Sequence, residues 1–265
     1  MSMTEEILEV LIGKYLDEKT LGIYERANKF LLFPLNNFTV AVQRVLFPGF
    51  SSIQNDEKQI KEIFLLTSQA IALITFPLMM WIFVNSTELV TIIFGNQWLP
   101  MVPILDKFCF ISLPQILLTL NSTIFLSKGR PDIPFKIGVF TKTIFLIMII
   151  VGIKLDGMTG LINGMLIATY INFFPLMHFM DKLINLNFTE NMKIFFPVLL
   201  ITLGSTSFII AFKSLKIFED TVSLITSFFI NYIIVYVIAT VSDIKSVKLV
   251  QNYILNKAKK KMILN

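Results

Sequence analysis

The stretch IFLLTSQAIALITFPLMMWIFVNST, Ile63–Thr87, runs for 25 residues without an Asp, Glu, Lys or Arg. About 20 apolar residues carry a helix across the hydrocarbon core of a bilayer. Barrel strands would alternate polar and apolar residues, and this stretch does not. Four more charge-free stretches come later in the chain: Phe108–Ser127, Gly157–Met180, Ile194–Phe212 and Thr221–Ser242, of 20, 24, 19 and 22 residues. Two less clean spans complete the set. One covers 21–47 and opens with Glu25, Arg26 and Lys29; the other covers 133–153 and contains Lys136 and Lys142. Seven spans, A to G, are therefore expected. Backbone inside a bilayer must satisfy its own hydrogen bonds, which leaves helices as the reading. The fold class is all-α, a polytopic transmembrane helical bundle.

Composition points the same way. Of 265 residues, 55% are hydrophobic and 15% charged, where a soluble domain carries about 25% charged residues. Cys109 is the single cysteine and His178 the single histidine, so no intrachain disulfide is expected. A membrane-bound transferase would need clustered carboxylates or histidines for metal or acid–base work. Asp56 and Glu57 in IQNDEK stand adjacent without a partner motif and read as a solvated turn. No enzymatic centre, cofactor, metal or nucleic-acid partner is expected.

Lys and Arg in the loops set orientation. The loops after spans A, C and E and the tail after G hold 14 of them, against 5 on the opposite side. Those loops and the C-terminus are expected to face the cytoplasm. The tail places Ile244, Val247, Val250 and Ile254 at helical spacing before KAKKK, as a helix lying on an anionic inner leaflet would. Residues 4–16, TEEILEVLIGKYL, form a helix too short to cross. The expected organisation is a remnant of a preceding span and outer loop at 1–19, a seven-helix lobe at 20–242 and a basic tail at 243–265.

Polar residues and prolines recur inside the spans, among them Pro77, Pro114, Gln69, Gln115, Asn121 and Asn231. Singly, such residues hydrogen-bond helices together. As a set with the prolines, they suit a bundle that encloses a wet cavity. Span A adds charge. With Arg26 at zero and about 100° per residue, Lys29 falls near −60°, Asn37 near +20° and Arg44 near zero. This stripe would be cationic at both ends, with an amide between. Glu25 has i,i+4 geometry for pairing with Lys29. Snorkelling to headgroups is the competing reading for Arg26 and Lys29. Lys142 lies roughly 9 Å along span D from Lys136, and Lys107 enters span C from outside. A cavity edged by Arg26, Lys29 and Lys142 would favour an anion, because Arg grips phosphate bidentately and Lys supplies a compact charge. The expected binding set is Arg26, Lys29, Asn37 and Lys142, supported by Glu25, Lys107, Gln115 and Asn121.

The blocks LGIYERANKFLLFPLNN, RVLFPGFSSIQND, ITFPLMMWIFVNSTELVTIIFGNQWLPMVPIL and LSKGRPDIPFKIG resemble the Wzx-type polysaccharide flippases, of O-antigen or teichuronic type. These belong to the multidrug/oligosaccharidyl-lipid/polysaccharide exporter superfamily. The resemblance runs from about Leu11 to Gly138, and the later spans agree in spacing. It implies fourteen spans in two lobes with cytoplasmic termini, of which this chain would be the second lobe, the C-terminal part only. It implies movement of undecaprenyl-diphosphate-linked repeat units across the bacterial cytoplasmic (inner) membrane, with cationic cavity residues attracting the diphosphate. Membrane lipids, and a first lobe or a second copy of the chain, would be its partners. Two alternatives stand beside this: a small-molecule exporter lobe of the same superfamily, which would want a deep acidic residue, and a truncated, nonfunctional flippase.

Overall fold

The computed structural model describes residues 3–215 and 220–248. The lysine run of the tail, 257–261, lies outside the described residues. Every regular element among those described is helical: α1 Met3–Tyr15, α2 Glu18–Ala27, α3 Phe33–Ser52, α4 Glu57–Val84, α5 Ser86–Phe94, α6 Val102–Ser127, α7 Asp132–Ile184, α8 Phe188–Ser214 and α9 Asp220–Val241. A π-turn, Asn28–Leu32, joins α2 to α3, and a 3-10 turn, Asn96–Met101, leads into α6.

Among the described residues, six helical stretches are long and apolar enough to cross a membrane. The longest is α7, with 53 residues, and it folds back on itself. Asp156 leaves helical geometry at φ −150°, and Gly157 takes φ +52°, a left-handed conformation that glycine adopts without steric cost. Each limb, 132–155 and 158–184, exceeds the length that spans hydrocarbon. The limbs meet almost backbone to backbone. A Cβ built on Gly160 would stand 2.0 Å from the Gly152 carbonyl oxygen. Small residues at such crossings let dispersion and weak polar contacts hold helices together where lipid offers no hydrophobic driving force.

Helix starts are set by local polar chemistry. Asp17 accepts from the Thr20 N–H at 2.7 Å and opens α2. Asp56 accepts from the Gln59 N–H at 2.9 Å and opens α4. Asn187 and Glu190 form a reciprocal cap on α8. Each satisfies N–H groups that the first helical turn leaves without partners. At one end of the bundle, ion pairs tie the connecting loops together: Lys61 to Glu190 at 2.6 Å and Lys128 to Glu57 at 3.2 Å. At the other end Lys213 pairs with Glu88 at 2.7 Å and donates to the Val84 carbonyl.

The rear of the bundle, α4 with α8 and α9, is closed by interhelical hydrogen bonds. Pro77 sits within α4 and donates no hydrogen bond. Around it, Asn231 Nδ2 donates to the Pro77 carbonyl at 3.0 Å and Tyr232 Oη to the Ile74 carbonyl at 2.8 Å. One turn on, Trp81 Nε1 donates to Ser227 Oγ at 3.0 Å. Gln69 reaches the Ile194 carbonyl and accepts from the Ser246 N–H, both at 3.4 Å. Phe174, Phe196 and Phe229 point outward and are exposed, as a lipid-facing surface requires.

Candidate functional site

The front of the bundle is different. α3, α6 and both limbs of α7 surround a polar cavity of about 270 Å³, with Leu8 of α1 at its edge. The π-turn decides which residues reach it. Such a turn inserts an extra residue into the helical repeat and rotates every later side chain about the axis. Tyr24, Asn28, Leu32 and Asn36, spaced by four, all line the cavity. In an unbroken α-helix that spacing would drift by about 120° over the three steps. The wide turn offsets the drift and keeps the two asparagines on one face.

Across the cavity, Gln115 Nε2 of α6 donates to Asn36 Oδ1 at 2.9 Å. The limbs of α7 contribute Thr141, Lys142 and Phe145 from one side and Thr169 and Asn172 from the other. The two threonine hydroxyls are already committed to the Gly138 and Met165 carbonyls. Asn172 Oδ1 is buried and bonds nothing. The lining contains no Asp or Glu, and Lys142 has no acceptor among the described residues. Lys142 is exposed at the edge of this lining, which holds four amides and no counter-charge.

Of the residues expected from sequence, Lys142 and Gln115 lie at this cavity and the others do not. Arg26 is exposed, and its guanidinium lies over the Trp98 ring, 4.7 Å from the centroid, and 5.7 Å from that of Phe94. Lys29 pairs with Glu25 at 3.0 Å, its side chain 71% exposed. Asn37 is exposed on the same helix. The expected stripe assumed a regular α-helix, and the π-turn between Arg26 and Asn37 interrupts it. Lys107 Nζ donates to the Thr159 carbonyl at 3.5 Å, beside the α7 fold-back. Asn121 is fully buried, away from the cavity, with neither amide atom bonded. Sequence reasoning left Asn28, Asn36 and Asn172 out of the binding set, though Asn36 and Asn172 stand among the polar residues inside the spans; the four-residue spacing from Tyr24 to Asn36 drifts around a regular helix and marks no common face. Trp98, the platform for Arg26, carried no signal, because a loop tryptophan gives no hint of which helix it will meet.

Residues 1–103 match a family described as polysaccharide biosynthesis protein. The teichuronic acid biosynthesis protein TuaB of Bacillus subtilis (strain 168) is 33% identical over 126 residues, 48% of this chain and 26% of TuaB. The lipopolysaccharide biosynthesis protein WzxC of Escherichia coli (strain K12) is 28% identical over 163 residues, 62% of this chain and 33% of WzxC. The chain is similar to these two polysaccharide-biosynthesis proteins over part of its length. The relationship is partial, since the aligned part spans about a third or less of these two relatives. Lipid II flippase MurJ in its inward closed conformation shares the fold, with a TM-score of 0.75 at 18% identity over 90% of this chain and 50% of MurJ. The chain is thus a multi-pass membrane protein with the helical architecture of a flippase.

Proposed function

We propose that the chain forms one lobe of a flippase that moves undecaprenyl-diphosphate-linked oligosaccharide repeat units across the cytoplasmic membrane for surface polysaccharide biosynthesis. A complementary lobe completes the path, since alternating access needs two bundles that rock about a shared site. The C-terminus and the loops tied by Lys61 and Lys128 face the cytoplasm, by the lysine and arginine excess on that side.

One observation carries the reading. Arg26 stands near the end of a membrane-length helix, its guanidinium over the Trp98 ring, with no hydrogen-bond acceptor among the described residues. An aromatic platform holds a guanidinium without using its N–H edge. That edge is left to grip a phosphate, and Lys29 adds charge one turn further along.

Vesicles containing the chain with a complementary first lobe, and vesicles with the chain alone, test this. The readout is movement of a fluorescent undecaprenyl-diphosphate sugar. The double variant Arg26→Ala, Lys29→Ala should slow movement about tenfold or more, the loss expected when a charge-assisted contact disappears. Equal rates in parent and variant would remove both residues from the path.

A further inference from the structure

The cavity between α3, α6 and α7 is half open, and its own volume matches part of a diphosphate-linked chain of sugars rather than the whole. Its 270 Å³ is room for about nine waters. We propose that it receives a single sugar ring bearing a negative group, and that Lys142 selects for that charge. The flippase reading is needed only to say that the ring arrives attached to a lipid carrier.

Three features of the lining decide the ligand chemistry. Asn28, Asn36, Gln115 and Asn172 border it together. Each amide offers both donors and an acceptor, as sugar hydroxyls do. Asn172 Oδ1 lacks a donor, as do several buried side-chain atoms of the bundle, but Asn172 alone of these residues lines the cavity. Lys142 borders the same cavity from an exposed position and has no acidic partner in the lining, so its ammonium is free to meet an anion there. An inorganic anion would satisfy the ammonium and leave the amides idle. A neutral sugar would satisfy the amides and leave the ammonium bare. A sugar carrying a carboxylate answers both. Lys142 is thereby a specificity residue for acidic repeat units, separate from the Arg26 platform.

Cys109 is the single cysteine and is fully buried, so an introduced thiol can be followed alone. Thr169→Cys places one in the wall of the cavity at a residue whose hydroxyl already bonds its own helix. The full chain in detergent is treated with methyl methanethiosulfonate, with D-glucuronate, D-glucose or inorganic phosphate present. Glucuronate should slow labelling, and glucose and phosphate should do so only at much higher concentration. Adding Lys142→Gln should raise the glucuronate concentration for half-protection about tenfold, the loss of one charge-assisted hydrogen bond. Adding Lys213→Gln, at the far Glu88 pair, should leave protection unchanged. Size-exclusion profiles confirm that each variant is folded.

Equal protection by glucose and glucuronate would overturn the role of Lys142, as would protection that survives Lys142→Gln. Equal protection by phosphate would overturn the sugar. A thiol that never labels, or that no sugar protects, overturns the proposal as well, because a closed or empty wall takes no ring. Protection by glucuronate without translocation in vesicles would instead defeat the flippase reading and leave the cavity assignment standing.

Discussion

Asn231 and Asn36 are both amides in membrane-length helices, and their surroundings put them to opposite uses. Asn231, at the rear, donates to the Pro77 carbonyl and is fully buried. Asn36, at the front, accepts from Gln115 and borders open space. At the rear a polar side chain meets backbone carbonyls around a proline, and the bond closes the contact between α4 and α9. At the front, amides meet other amides and an ammonium. Together they offer more hydrogen bonds than they can use on each other, and the gap between them stays open. The chemistry of the residue is the same. What differs is the space beside it: Asn231 is enclosed, its Oδ1 buried without a partner, while Asn36 borders the cavity.

The most damaging way to break this contrast is to open the hinge that brings the front together. Lys142 and Asn172 lie on opposite limbs of α7, and the limbs touch at Gly152 and Gly160. Gly160→Val puts a branched side chain where even a Cβ would stand 2.0 Å from a carbonyl oxygen. Overpacking of this kind costs about 3 kcal/mol or more when backbone must move. The variant should give aggregated or protease-sensitive protein on size exclusion, with early cuts near 156–157. Normal monodisperse protein would mean that the limbs do not touch as described.

A smaller effect compares the two amides directly. Asn231→Leu removes a rear hydrogen bond and should lower stability by about 0.6 kcal/mol, and no more than about 1.7 kcal/mol. Asn36→Leu replaces a cavity amide by hydrocarbon; it should leave stability near the parent value while weakening any ligand the front binds. Denaturation in mixed micelles measures both. The reverse ranking would erase the distinction between glue and cavity.

The long spans were legible because the hydrocarbon core imposes a length, and charge-free runs such as 63–87 have no other reading. The fold-back of α7 was also marked, by Lys154, Asp156 and Gly157 between two apolar runs. The site was less so. Lys142 and Gln115 of the expected set border the cavity, on helices that are regular up to those points. The Arg26–Asn37 stripe could not be placed, because it was projected through Asn28–Leu32 at a constant turn per residue. A π-turn has no strong compositional mark, and one inserted residue is enough to move every later side chain to another face. The partner of Arg26 was hidden for a different reason. Trp98 is distant in sequence, and its meeting with α2 depends on how α5 and the 3-10 turn after it pack.

The gentlest test concerns the edge of the front, where the rear has no counterpart. Leu8 of α1 borders the cavity, and the turn from α1 into α2 is set by Asp17 accepting from the Thr20 N–H. That hydrogen bond holds the Asp17 carboxyl below its ordinary pKa of 3.8. A depressed value in the folded state means that the cap contributes fully above the ordinary value and is lost as pH falls through the folded one. Amide exchange at Thr20 should therefore accelerate, relative to the rear helices, only once the pH drops below about 4. In Asp17→Ala it should already be fast at neutral pH and show no such step. A step that persists in Asp17→Ala would assign the titration to another carboxylate and detach the α1 wall from this cap.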